Sequence, residues 1–115
     1  MDRIRREGEI VGYRRTAGNL TLYSRDRYGW NGEPIDHDAV ERMSPYRDKN
    51  AIPLFENDVI SIRAKIDDSE IMAVILRDGE DFILRHFNDR SLPVDTDTLT
   101  SRDHSIKRVG YLVDG

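Results

Sequence analysis

A chain of 115 residues without cysteine excludes a disulfide framework and thiolate-based zinc or redox chemistry, and its length suits one hydrophobic core, so a single domain over residues 1–115 is expected. Charged side chains make up 35% of the chain against 37% hydrophobic, which predicts a thin core and a large polar surface. The net charge of −4 disfavours a wholly electrostatic nucleic-acid binder, because counterion release calls for a net basic domain.

From the N-terminus, Glu9-Ile10-Val11-Gly12-Tyr13 is a β-prone run with basic flanks. Thr16-Ala17-Gly18-Asn19 suits a tight turn, and Leu20-Thr21-Leu22-Tyr23 returns, so the two runs predict a hairpin. Residues 24–34, SRDRYGWNGEP, combine glycine, asparagine and proline without periodicity and predict an exposed loop whose aromatics need an explanation. Residues 36–43 admit two readings: Asp36 capping one or two helical turns with Ala39, Val40 and Met43 on one face, or an edge strand over Val40 to Met43. The helix is favoured. The stretch through Asn57 contains Pro45 and Pro53, each lacking a ladder donor, and is not expected to supply a central strand.

The pattern sharpens at Val59. Ile60, Ile62, Ala64 and Ile66 fall on one face and Val59, Ser61, Arg63 and Lys65 on the other, the alternation of a half-buried strand. Asp67-Asp68-Ser69 is turn chemistry, Ile71 to Leu76 reads as a strand apolar on both faces, and Asp78-Gly79 turns the chain into Asp81 to Phe87, completing a three-strand meander. Residues 88–105 read as a long polar connection around Leu92-Pro93-Val94. Ile106 to Val113 closes the chain as a strand with Gly110 at a bulge or a close backbone approach. The fold class is therefore mainly β: a small barrel or sandwich on an antiparallel meander, with at most one or two short helices. The longest apolar run is too short to cross a bilayer and MDRIRREGE lacks a signal-peptide apolar region, so a cytoplasmic protein with no membrane partner is expected.

Residues 43–60, MSPYRDKNAIPLFENDVI, resemble the signature of the YopX family of phage and prophage proteins. There a tyrosine-containing segment leads into an Asp-Lys-Asn-Gly loop, an aromatic, Glu-Gly-Asp and an aliphatic strand. Arg108-Val109-Gly110-Tyr111-Leu112 is similar to the closing strand of that family. Ala51 stands where the family carries its loop glycine, and Asn57 where it carries the glycine of Glu-Gly-Asp; asparagine is among the few residues that readily accept a left-handed turn. The first 40 residues have no counterpart of the family's opening strand. The resemblance implies one YopX-like domain with a small SH3-like barrel, in a bacterial host cell. It implies no activity and transfers no functional residues.

The residues offer little catalytic chemistry. His37, His86 and His104 lie in separate segments, Asp36-His37-Asp38 is only a local cluster, and Asp95-Thr96-Asp97 begins like a calcium loop but has Thr100 and Ile106 at the positions that need glycine and glutamate. Asp67-Asp68 and Glu80-Asp81 are turn residues. No phosphate-loop, dinucleotide or nucleophile-elbow motif occurs, so no catalytic residue, cofactor or metal is expected and the chain is not read as an enzyme. The remaining constellation is Arg14, Arg15, Tyr23, Arg25, Arg27, Tyr28 and Trp30, where arginines interleave with aromatics. Trp30 in such a group can plug the end of a barrel, arginine and aromatics together are favoured in protein interfaces, and the same residues can stack single-stranded bases and pair phosphates. The expected function is a non-enzymatic binding module acting on an unknown protein partner through this surface, with homo-oligomerisation as one form of it; nucleic acid is the alternative partner.

Overall fold

The computed structural model describes residues 1–112, and Val113 of the expected closing strand lies outside the described residues. The chain is mainly β, with strands β1 (Asp2–Arg6), β2 (Glu9–Ala17), β3 (Leu20–Ser24), β4 (Ala39–Arg47), β5 (Pro53–Phe55), β6 (Asp58–Ala64), β7 (Glu70–Asp78), β8 (Asp81–His86), β9 (Pro93–Val94) and β10 (His104–Tyr111), and a 3-10 turn over Thr96–Leu99. Two antiparallel sheets have the orders β3-β2-β1-β4-β5 and β10-β6-β7-β8-β9, and neither order closes on itself among the described residues. The chain forms two compact units, Met1–Met43 and Ser44–Leu112, divided within β4.

In the first unit the expected hairpin is present as β2 and β3, paired from Tyr13↔Ser24 to Ala17↔Leu20 around a turn in which Gly18 takes φ 63°. The basic N-terminal flank is itself a strand. β1 joins β2 through Glu7 and Gly8, both left-handed at φ 52° and 83°, the backbone that a two-residue hairpin turn demands. Ile4 is fully buried, and so are two of its charged neighbours: Arg3 and Arg5 are 1% and 5% exposed, and both engage Glu41, itself 2% exposed. Arg3 Nε and Arg5 Nε each donate to Glu41 Oε1 at 2.7 Å, and Arg5 Nη2 donates to Oε2.

The helix expected over residues 36–43 is not formed. Residues 39–42 instead pair with β1, with Glu41 opposite Arg3 and Val40 opposite Ile4, and Asp38 N–H donates to Arg5 O at 2.9 Å. A ladder that satisfies backbone groups and seats Glu41 between two buried arginines outweighs a weak three-residue apolar stripe. Asp36 caps nothing; its carboxylate pairs with Arg6 at 2.9 Å on the surface. At Gly12 the strands β2 and β3 leave no room for a side chain, because a Cβ there would stand 2.6 Å from Ser24 O and 2.8 Å from Ile35 Cδ1.

In the second unit, prolines stand inside strands where the sequence argued against a central one. β4 lies between β1 and β5 in its sheet and contains Pro45. Its Met43 N–H donates to Met1 O, and Pro45, which lacks a donor, follows two residues later. Ser44 Oγ meanwhile donates to Leu54 O at 2.7 Å and accepts from Tyr46 N–H at 3.2 Å, doing with a side chain what the ladder would do.

Between β4 and β5 the Asp48 carboxylate accepts from the N–H groups of Asn50 and Ile52 at 2.8 and 2.9 Å, and Ala51 is left-handed at φ 62°. Between β5 and β6 the chain turns on Asn57, φ 71°, and buried Asp58 accepts from Phe55 N–H at 2.8 Å. The meander follows as expected, β6 against β7 and β7 against β8. Ile66 is a correction: β6 ends at Ala64, whose carbonyl accepts from Asp68 N–H, so Ile66 sits at the turn, 93% exposed.

The core gathers Leu54, Ile60, Ile62, Ile75, Leu84 and Ile106, with Tyr46 and Phe82 packed against it. It also takes Val94 and Leu99 from the stretch expected to be only a polar connection. Val94 arrives on β9, paired with Leu84, and Leu99 on the 3-10 turn, where Asp95 accepts from Asp97 N–H at 2.9 Å as a cap. β10 pairs with β6 and shifts register between Arg108 and Gly110. A Cβ at Gly110 would meet nothing within 4 Å, so of the two expectations the bulge holds and the close approach does not.

Candidate functional site: the arginine and aromatic surface of the first hairpin

Strand alternation sorts the candidate residues before any contact is considered. Arg14 pairs with Tyr23 across the β2–β3 ladder, and Arg15 with Leu22, so Arg14 and Tyr23 share one face while Arg15 lies on the other, with Tyr13. On the first face Arg14 pairs with Asp2 at 3.3 Å and the Tyr23 ring lies 6.2 Å from that of His37. On the second face the Arg15 guanidinium stands 4.4 Å over the Trp30 ring, and Arg27 lies 5.6 Å from the Tyr13 ring and 5.9 Å from that of Tyr28. Arg25 is exposed and lines the hollow between Tyr23 and Ile35. The structure thus brings together Arg15, Arg27, Tyr28 and Trp30, separates off Arg14 and Tyr23, and adds Tyr13, which the sequence reading left out. Its position two residues before Arg15 on one strand was the available signal.

The loop that carries Arg27, Tyr28 and Trp30 is held from within. Ser24, buried at the end of β3, accepts at its Oγ from Arg27 N–H at 2.8 Å and donates to Asp26 Oδ1 at 3.1 Å. The same Oδ1 accepts from the N–H groups of Tyr28 and Gly29 at 2.9 and 3.0 Å. Trp30 Nε1 donates to Arg27 O at 2.9 Å, and a two-way backbone bridge between Tyr23 and Asn31 closes the loop. Trp30 itself is half-buried. A hollow of about 250 Å³ runs from Tyr23 to Ile35 on the loop's flank.

The hydrogen bonds from Gly29 and Tyr28, with that from Ser24, hold the Asp26 carboxyl below its ordinary pKa. A depressed folded value means that the carboxylate's ordering effect is complete above the ordinary aspartate pKa of about 4 and is lost as pH falls through the lowered one. In a pH titration followed by NMR, the Tyr28 and Gly29 amide resonances are expected to stay fixed from about pH 7 to 5 and to move together only below about pH 4. In Asp26→Asn that acid-range step should be absent.

Among the described residues no group of three or more His, Asp or Glu side chains is placed to hold a metal ion. No helix among them is long and apolar enough to cross a membrane. Comparison of the chain with protein-family models, with curated proteins and with solved structures gave no match.

Proposed function

We propose that the chain is a non-enzymatic binding module that docks a protein partner on the hairpin surface formed by Tyr13, Arg15, Arg27, Tyr28 and Trp30. The placement of guanidinium groups over ring faces carries this reading: Arg15 covers Trp30 at 4.4 Å, and Arg27 stands within 6 Å of both tyrosine rings. The Arg15 guanidinium over the Trp30 ring narrows the room for a base there, while Tyr28, 82% exposed, leaves ring surface for a partner. Arg15 and Tyr28 are exposed beside a loop held by its own hydrogen bonds, and arginine with aromatics is the residue chemistry enriched at the centres of protein interfaces. A second copy of the chain is one partner this surface can serve.

Trp30→Ala and Arg15→Ala are expected to leave thermal unfolding nearly unchanged and to weaken partner capture, or self-association in sedimentation, by about thirtyfold, as for a hot-spot residue. Undiminished capture by both variants would remove the surface from the reading.

We further read the chain as a divergent YopX-like phage or prophage protein of a bacterial cytoplasm, its second unit built on the lines of an SH3-like barrel. Support comes from the two positions where that family carries glycine. Ala51 and Asn57 are both left-handed, at φ 62° and 71°, which is the backbone that selects glycine. The bulge in β10 supplies the bend that a small barrel needs. Ala51→Gly should accordingly raise stability by about 1 kcal/mol in denaturant unfolding, since an L-residue with a Cβ is strained there, whereas glycine in an ordinary loop position would lower it.

A further inference from the structure

We infer that the second unit carries a phosphate-binding track, suited to the backbone of a single-stranded nucleic acid, along the segment that leads into β10. Two backbone hydrogen bonds build it. Lys49 N–H donates to Ile106 O at 2.9 Å, drawing the loop between β4 and β5 alongside β10, and Lys65 N–H donates to Asp103 O at 2.8 Å, drawing the end of β6 to the same segment. The result is a cleft of about 270 Å³ whose lining includes Arg47, Lys49, Lys65, Arg102 and His104. Lys49 and Ser105 also line an adjoining groove of about 350 Å³ that contains Lys107 and Arg63. The shared residues make the two hollows continuous in lining, longer than one phosphate requires.

Three of the acidic groups nearby are already engaged. Asp48, the cleft's lining carboxylate, accepts from two backbone N–H groups, and Glu70 in the adjoining groove accepts from Arg63 at 3.0 Å. Asp67, whose pKa is lowered mainly by Ser69 and slightly by His104, accepts from Ser69 N–H and Oγ at 3.0 and 2.7 Å. By contrast Lys49, Lys65, Arg102 and Lys107 are exposed and make no ion pair among the described residues. His104 adds a buried Nδ1 without a hydrogen-bond partner.

This concentration of cations stands against the charge of its surroundings, since residues 44–112 carry ten basic and thirteen acidic side chains. A predominantly cationic cleft within a net acidic unit focuses field at the cleft and favours an anion there over nonspecific attraction elsewhere. No Phe, Tyr or Trp lines either hollow, so the track grips phosphates and leaves bases unread, predicting binding without sequence preference. This site is separate from the hairpin surface proposed above and does not depend on it.

The test uses fluorescence anisotropy with a labelled oligo-dT strand, for the full chain and for Lys49→Gln/Lys65→Gln/Arg102→Gln, whose exposed positions should leave the thermal unfolding curve in place. The full chain is expected to bind with an affinity that falls as salt rises from about 50 to 200 mM, and the triple variant to bind at least about tenfold more weakly with a salt slope shallower by about 2. Trp30→Ala should bind the strand as the unaltered chain does, which keeps this outcome distinct from failure or success of the hairpin reading. No binding at the lower salt, equal binding by the triple variant, or binding of inorganic tripolyphosphate without binding of the oligonucleotide would each overturn the inference.

Discussion

Glu41→Gln is expected to destabilise the protein by about 3–5 kcal/mol, read as a lower urea midpoint and as early loss of amide protection in β1 and β4. Arg3 and Arg5 are almost wholly withdrawn from water and both converge on the Glu41 carboxylate. An amide keeps the volume of that carboxylate and one acceptor, but it removes the charge that compensates the desolvation of two guanidinium groups. Removing one member of a buried ionic cluster therefore costs far more than the cluster contributes net. The same argument predicts a contrast: Arg3→Met/Arg5→Leu/Glu41→Leu, which removes the charges together, should recover most of the lost stability. A loss under about 1 kcal/mol for Glu41→Gln would show that the arginines do not depend on this carboxylate.

The second large effect is expected at Asp58. Its side chain has no exposed surface, yet it is the residue on which the β5–β6 turn closes, accepting from Phe55 N–H, with Arg108 Nη1 3.8 Å away. Asp58→Ala takes away a charged acceptor from a buried amide and leaves a gap beside Phe55, for an expected loss of about 2–3 kcal/mol. Asp58→Asn, which keeps the shape and a carbonyl acceptor, should lose less. Equal and small losses in both variants would mean that Asn57 alone holds the turn.

Much of the second unit was legible from the chain. Alternation placed β6 and β8, and a run apolar on both faces placed β7, although β6 proves buried on both faces from Asp58 to Ile62 rather than on one. Gly18 and Gly79 marked their turns because each needs positive φ. The first strand was hidden for the opposite reason: in Asp2-Arg3-Ile4-Arg5-Arg6 only Ile4 is apolar, and nothing local shows that Arg3 and Arg5 have a carboxylate waiting 36 to 38 residues later. Residues 36–43 were misread through the same gap, since the partner that makes them extended is β1. Val94 and Leu99 entered the core one residue at a time from polar surroundings, a spacing with no period to detect.

The candidate surface was half legible. Composition located arginines and aromatics between Arg14 and Trp30, but which of them share a face depends on the pairing of Arg14 with Tyr23 and on the internal bonds of Asp26. The cations of the second unit were invisible as a group, because Lys49, Lys65 and Arg102 are brought together only by backbone bonds between distant segments.

The pairing of β10 with β6 bears on the order of events during folding. Residues 58–87 can form their meander from local contacts, but β6 has β10 as its other neighbour, and its partners on that strand lie forty or more residues further along the chain. Until β10 arrives, one edge of β6, with Ile60 and Ile62 beside it, is an open template for strands of other chains. A nascent or truncated chain lacking residues 104–111 should therefore be aggregation-prone, with docking of the last strand as the slow, late step of folding.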